Sequence, residues 1–295
     1  MAVAFHDRDG KIWFDGKMID WRSANIHVLT HALHYAGAVF EGERVYGGQV
    51  FKLREHTQRL LDSAVTMGYS IPYTLQQLEE ATMEVVRTQK IVDGYVRPIA
   101  WRGSEMMGVA AQKNLIHVAI AVWEWPSYFD PEAKTKGIRL TMSKWKRPSP
   151  ETAPVHAKTS SLYAICTLGK HEAENAGCHD ALMLDWRGQV AEATGANFFM
   201  VKNGEIHTPT PDCFLNGITR QTVIELARGM NIKVTERAIM PEELKTADEI
   251  FLTGSAAEVT AVGQIADMTF KVGPITQKLA EAYSAEVRKP VAKAA

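Results

Sequence analysis

Three short stretches decide the reading: Val155-His156-Ala157-Lys158-Thr159-Ser160-Ser161-Leu162-Tyr163, Glu192-Ala193-Thr194-Gly195-Ala196-Asn197-Phe198-Phe199, and Leu215-Asn216-Gly217-Ile218-Thr219-Arg220. The first sets a lysine among small residues just ahead of a helical pattern. The second carries a glutamate at the end of one strand and an asparagine opening the next. The third is a glycine turn that opens a helix. Between the last two, Phe198–Lys202 and Glu205–Thr208 flank Asn203-Gly204, a dipeptide that readily takes two positive φ values and so specifies a tight hairpin.

Working outward, the second half alternates strands and helices. Strands are expected at Gly137–Met142, Ala181–Asp185, Gln189–Ala193, Ile232–Glu236, Glu249–Thr253 and Glu258–Val262. Helices are expected at Ser160–Ala176, closed by Gly177, at Thr219–Gly229, and from Ile275 onward. The tail after Ala285 reads as frayed. The first half opens as β structure, with Lys11–Phe14, a turn at Asp15-Gly16, Ala38–Tyr46 and Gln49–Lys52. Its period then changes: a helix over residues 54–67 ends at Gly68, and a second helix starts at Thr74. Strands follow at Tyr95–Trp101 and Leu115–Trp123. Glu124–Ala133 has two prolines and little periodicity, which predicts a linker. The expectation is an α/β (α+β) chain with a smaller N-terminal domain over residues 1–123, a linker over 124–133 and a larger C-terminal domain over 134–295.

Composition narrows the function. The chain has 295 residues, 46% of them hydrophobic, so it can bury sizeable cores. Its 33 basic and 34 acidic residues nearly cancel, so no net field draws it to nucleic acid or an anionic membrane. Small molecules are the expected partners. No run approaches the ~20 apolar residues needed to span a bilayer, and the opening residues show no basic region followed by an apolar stretch. Cys166, Cys178 and Cys213 are odd in number and widely spaced, which suits thiols in a reducing cytoplasm and predicts no metal site.

The residue types suggest a chemistry. An aldehyde cofactor requires an unprotonated lysine amine to form a Schiff base, and burial favours that form. Lys158 stands where burial can occur, although on position alone it reads more readily as a surface lysine. Glu192 can hold a positive ring nitrogen, or it can be an exposed glutamate at a strand end. Gly217-Ile218-Thr219 offers free amides, a hydroxyl and a helix dipole to a phosphate, or an ordinary cap.

Taken jointly, Glu192, Thr194, Asn197, Phe198, Phe199, Ile206, Thr208, Leu215, Gly217, Ile218 and Arg220 fall at the spacings of the class IV aminotransferases, which use pyridoxal 5′-phosphate (PLP). From about Ile12 to about Ile265 the chain most resembles the branched-chain amino acid aminotransferases. The resemblance implies a two-domain fold type IV enzyme with the cofactor between its domains. It implies that Lys158 is the catalytic lysine that carries PLP and moves the proton, and that Glu192 faces the pyridine nitrogen. Arg59, Tyr163, Thr194, Asn197, Gly217, Ile218, Thr219 and Ser255 complete the cofactor set, with Gly254-Ser255-Ala256-Ala257 as a second phosphate turn. On the substrate side it implies Tyr35, Phe40, Arg44, Tyr95, Arg97, Trp125, Tyr128, Ser255 and Ala256. Without it, Tyr35, Phe40 and Tyr95 read as core aromatics.

The implied reaction is amino transfer between branched-chain L-amino acids and 2-oxoglutarate, by a homodimer or a higher oligomer of dimers, with residues 102–114 helping to close a pocket, that of a neighbouring subunit included. Glu43, where relatives are usually apolar, and Ser161-Leu162, where Gly-Asn is usual, depart from the pattern. A D-amino acid or (R)-amine transaminase, an aminodeoxychorismate lyase, and a silent PLP-binding protein stay open as alternatives.

Overall fold

The structure is a computed structural model that describes residues 3–125 and 136–289. The chain forms two compact units: Met1–Pro126 with Ala157–Ser161, and Ser127–His156 with Leu162–Ala295.

In the first unit, β1 (Lys11–Phe14), β2 (Lys17–Asp20), β3 (Ala38–Phe40), β4 (Glu43–Tyr46), β5 (Gln49–Val50), β6 (Gly94–Arg102) and β7 (Ile116–Glu124) form one sheet, with α1 (His31–Tyr35), α2 (Leu53–Thr66) and α3 (Leu75–Thr88) between them. The strand order is β2-β1-β7-β6-β4-β5, and β3 pairs with β6. Side chains alternate across a strand, so register sorts them onto two faces. Val39, Val45, Val96, Val118, Ile120 and Val122 point one way and bury themselves against Leu60, Ala64, Leu78 and Val85 of α2 and α3. Burial of this kind stabilises by roughly 1.5–3 kcal/mol per large apolar side chain. The pairs Arg44↔Tyr95, Tyr95↔Trp123 and Arg97↔Ala121 put arginine and aromatic side chains on the opposite face. The helices are bounded as expected: Thr74 and Gln77 form a reciprocal capping box on α3, and Gly68 after α2 has φ +75°.

Two expected strands are shorter. Ala38–Tyr46 breaks between Phe40 and Glu43, where the Glu41 carboxylate is captured from below and Gly42 passes under the Tyr95 side chain. Gln49–Lys52 stops at Val50, because Lys52 takes φ +54° as the N-cap of α2.

In the second unit, β8 (Ile138–Met142), β9 (Asp180–Leu184), β10 (Val190–Ala193), β11 (Asn197–Lys202), β12 (Glu205–Thr208), β13 (Val234–Glu236), β14 (Glu249–Gly254), β15 (Glu258–Ile265) and β16 (Met268–Thr269) are joined by α4 (Tyr163–Asn175), α5 (Ile218–Gly229) and α6 (Pro274–Glu286). The order β10-β9-β8-β15-β14-β11 closes on itself because β10 also pairs with β11. Closure leaves that ring without an open edge. Its interior holds Ile138, Leu140, Leu182, Phe198, Met200, Ile250, Leu252 and Val262, all buried. Asn203 (φ +53°) and Gly204 (φ +76°) make the expected hairpin between β11 and β12.

The expected contiguous boundary needs one correction. Residues 157–161 belong with the first unit because Thr159 bridges to Val39 and its hydroxyl donates to the Ala38 carbonyl at 3.0 Å. The expected linker from residue 126 on, and the chain end from residue 290 on, lie outside the described residues. No described helix is long and apolar enough to cross a membrane.

Candidate active site

The first unit presents the lysine. The Lys158 amide donates to Ser63 Oγ at 3.0 Å and its carbonyl accepts from the Phe40 amide at 3.0 Å, so the backbone is fixed on both sides. Its side chain is half-buried, with Nζ 4.9 Å from the centroid of the Phe40 ring. Phe40 therefore walls the lysine, as an aromatic at that position can.

Beneath the sheet lies a charged group. Glu41 is fully buried and accepts from Arg59 Nε at 2.6 Å, Arg59 Nη2 at 2.8 Å and His56 Nδ1 at 2.7 Å. Burial alone would raise its pKa, but the charges and hydrogen bonds of Arg59 and His56 outweigh it and hold the carboxyl far below the usual range. Burial pushes the His56 pKa down, despite Glu41. Arg59 keeps a fifth of its side chain exposed while its guanidinium clamps Glu41.

On the opposite face, Arg97 lies 4.8 Å over the Phe40 ring and 5.4 Å over that of Tyr95, and its Nη2 donates to the Tyr95 hydroxyl at 3.3 Å. Its Nε is buried with no acceptor among the described residues. Tyr95 packs between Trp123 and Trp125, at 5.2 and 5.3 Å between ring centroids. Any Cβ at position 42 would collide with the Tyr95 hydroxyl, which explains Gly42. Arg44 lies 5.0 Å over Tyr46 on the same face. Tyr35 stands elsewhere: it is exposed, stacks on His31 at 4.5 Å and donates to the Met107 carbonyl at 3.2 Å. Tyr128 lies outside the described residues.

The second unit presents a carboxylate and a helix start. Glu192 Oε2 accepts from Asn197 Nδ2 at 3.1 Å, and Oε1 lies 3.3 Å from Arg147 Nε. That second contact is an ion pair without hydrogen-bond alignment. Asn197 Nδ2 also donates to the Leu215 carbonyl at 3.0 Å, tying the strand end to the loop ahead of α5. A Cβ on Gly217 would strike Asn197 Oδ1. Gly217 caps α5 without a side-chain bond, and the first amides of a helix have no intrahelical acceptor. Arg220, 1% exposed, binds Glu236 at 2.7 Å, Asn216 Oδ1 at 2.8 Å and the Pro209 carbonyl at 3.1 Å, which pins that loop.

The other expected residues are placed as follows. Thr194 commits its hydroxyl hydrogen to Asp180 at 2.5 Å. Thr219 is buried, its oxygen 3.5 Å from the Tyr283 hydroxyl. Tyr163 opens α4 and is half-buried. Ser255 and Ala256 lie in the turn joining β14 to β15, between the two strands expected there. Arg147 escapes a reading of the sequence because Lys144-Trp145-Lys146-Arg147 looks like a solvated basic run. It is 4% exposed, and although burial lowers its pKa, Glu192 together with Cys166, Tyr163 and Cys213 raises it overall. The following Pro148 is the one signal that the run leaves regular structure.

With this geometry, comparison with known proteins is informative. The amino-transferase class IV family matches residues 38–265. The branched-chain-amino-acid aminotransferase of Pseudomonas aeruginosa is 42% identical over 288 residues, covering 95% of this chain and 94% of the relative. The branched-chain aminotransferase of the archaeon Thermoproteus uzoniensis, solved with norvaline, superposes with a TM-score of 0.91 at 37% identity over 95% of each chain. An aminotransferase from Brucella abortus, solved with PLP bound, superposes with a TM-score of 0.83 at 30% identity, over 95% of this chain and 99% of that one. Coverage is nearly complete in both directions and the match spans both units, so the chain belongs to the class IV aminotransferase family.

Proposed function

We propose that the protein is a PLP-dependent branched-chain-amino-acid aminotransferase, exchanging amino groups between leucine, isoleucine or valine and 2-oxoglutarate. The observation that carries this reading is the arginine set within an aromatic face, Arg97 between Phe40 and Tyr95, alongside the fixed Lys158. An aliphatic side chain can lie on that face, and a γ-carboxylate can find a charged donor there. A D-amino acid or (R)-amine donor and the lyase reaction are disfavoured by relatives of 37–42% identity that bear the branched-chain name.

The residues fit PLP. Glu192 is 13% exposed on its side chain and held by two partners, which leaves a fixed carboxylate for a protonated ring nitrogen. We take the amides of Ile218 and Thr219 at the start of α5, and the partly exposed Arg59, as the groups for its phosphate. When bound, PLP supplies an aldehyde for the amine and a ring that withdraws electrons. Lys158 then moves the proton between the amino acid Cα and the cofactor carbon. Asn197 and Arg147 keep Glu192 oriented. Tyr95 and the amides of the Ser255-Ala256 turn hold the α-carboxylate common to all substrates.

Arg97→Leu separates the two substrate classes. Each charge-assisted bond to a γ-carboxylate is worth roughly 1.5–3 kcal/mol, so glutamate and 2-oxoglutarate should lose about ten- to a hundredfold in affinity. Leucine should react nearly as before. Single-turnover kinetics with each amino acid checks this, and a parallel loss for both would move Arg97 to the α-carboxylate or to the fold. A donor panel of L-leucine, L-glutamate, D-alanine and (R)-phenylethylamine tests the reaction itself; a protein that stays yellow with every donor would be a silent binder.

The working form is a homodimer in the cytoplasm. Val28, Leu33, Val109 and Leu115 are between 60% and 83% exposed on α1 and the adjoining loops, a patch of apolar surface that a lone subunit would leave wet. His31 ties α1 to that region through Gly103 and Gly108. Tyr35, which reaches Met107, then serves a neighbouring pocket. The three cysteines are free, as a reducing compartment keeps them. Light scattering should give twice the chain mass of 32.8 kDa at assay concentration, and an active monomer would remove the claim.

A further inference from the structure

The start of the chain reaches the aromatic face that carries Arg97. Phe5–Asp7 is a three-residue turn ahead of β1, too short to hold itself, yet it is fastened at several points to Trp21 and Arg22, which follow β2. The Trp21 indole, itself buried, donates from Nε1 to the Phe5 carbonyl at 2.5 Å. Arg22 binds the Asp7 carboxylate at 2.7 Å, the Asp7 carbonyl at 3.1 Å and the Asp9 carboxylate at 2.7 Å. Exposed ion pairs add little stability one by one, so this fastening fixes a position more than it strengthens the fold.

What it holds in place is the Phe5 ring. That ring has the Arg8 guanidinium 4.0 Å from its centroid and meets Trp123 edge-on, at 5.2 Å between centroids and 81° between planes. Trp123 of β7 and Tyr95 of β6 are register partners, with rings 5.2 Å apart. The Tyr95 hydroxyl in turn accepts from Arg97. Contacts therefore run unbroken from Phe5 through Trp123 to Tyr95 and Arg97, all within the first unit. Trp123 Nε1 is buried with no acceptor among the described residues, so no described hydrogen bond fixes the indole and packing sets its position. Tyr95, Trp125 and Phe5 pack on it, and of these Phe5 is the one that comes from outside the sheet and its immediate continuation.

We propose that Phe5 is a positioning residue: it seats Trp123, and through Trp123 holds the Tyr95 ring where its hydroxyl meets the substrate α-carboxylate. The inference rests on the role given to Tyr95 above. Because the α-carboxylate is common to every donor and acceptor, Phe5 governs affinity for all of them alike and discriminates between none. That separates it from Arg97, to which the γ-carboxylate is assigned.

The test uses the holoenzyme. Phe5→Ala removes the ring and little else, since the residue is 53% exposed in a terminal segment. Half-saturation for L-leucine and for L-glutamate should rise together by about three- to tenfold, the worth of one edge-to-face aromatic pair, while the limiting rate stays within about twofold. Phe5→Tyr keeps the ring and should bring both values back to within about twofold of the parent. Arg22→Ala frees the segment without touching the ring and should move both in the same direction as Phe5→Ala. Isocaproate has the carbon skeleton of leucine and no amine to react; its binding, read by calorimetry, should weaken by the same factor, with cofactor affinity unchanged.

A merely structural role would lower the melting temperature and leave half-saturation as it was, and that result for Phe5→Ala would overturn the inference. So would a loss confined to one donor, a loss of cofactor affinity, or a limiting rate that falls while half-saturation holds. A parent protein that converts neither donor would instead remove the functional reading beneath it.

Discussion

Lys158→Ala will abolish transamination while leaving both units folded. Proton transfer by a positioned side chain is worth about 10²–10⁴-fold, and loss of the amine also removes the covalent anchor, so turnover should fall by at least that factor. The fold should survive because the segment is held by its backbone. The Lys158 amide bonds Ser63 Oγ, its carbonyl takes the Phe40 amide, and Thr159 bonds Ala38. None of these uses the lysine side chain, whose Nζ lies 4.9 Å from the centroid of the Phe40 ring. Unchanged circular dichroism with activity gone is the expected pair. Borohydride reduction of the parent protein followed by peptide mapping should place the cofactor on Lys158, and a label on another lysine sinks the assignment.

The second large effect is Glu192→Gln, expected to keep PLP and lose about two orders of magnitude or more in kcat. An amide is nearly isosteric with the carboxylate and can still meet Asn197, so binding persists. It cannot hold a pyridinium charge, and a neutral ring withdraws electrons poorly. It also leaves Arg147 facing a neutral group. That guanidinium is 4% exposed with Glu192 3.3 Å away, and a buried cation that loses its counter-ion is strongly destabilised. A lower melting temperature should therefore accompany the kinetic loss. Retained visible absorbance with parental kcat would refute the ring-partner role.

The parts legible in the sequence are those governed by local physics. Asn203-Gly204 announces its hairpin because few other residues accept two positive φ values, and Thr74 with Gln77 announces a helix start through reciprocal bonds. Lys158, Glu192, Asn197 and Gly217 stand out as candidates through the resemblance to the class IV signature. What is not legible depends on tertiary partners. Nothing near Arg147 in the chain says that Glu192 will be its counter-ion, so a buried ion pair reads as surface. Ala38–Tyr46 alternates well enough to suggest one strand, yet Glu41 is drawn to Arg59 and His56, which lie on α2.

The pairing of Thr159 with Val39 bears on how the protein is made. The first unit is encoded almost wholly by residues up to 126, but β3 waits for a partner encoded in residues 157–161. At ~5–20 residues per second, a ribosome exposes that partner several seconds after the rest of the sheet has emerged. Until then Ala38 lacks the hydroxyl donor it will receive from Thr159, and the Phe40 amide lacks the Lys158 carbonyl. The nascent unit is a sheet with one unfinished seam, and the chain that finishes it also delivers Lys158, the lysine proposed to carry the cofactor. A truncated product ending at the interdomain stretch would therefore be both incomplete at β3 and chemically inert. Quality control could remove it on the first ground before the second mattered.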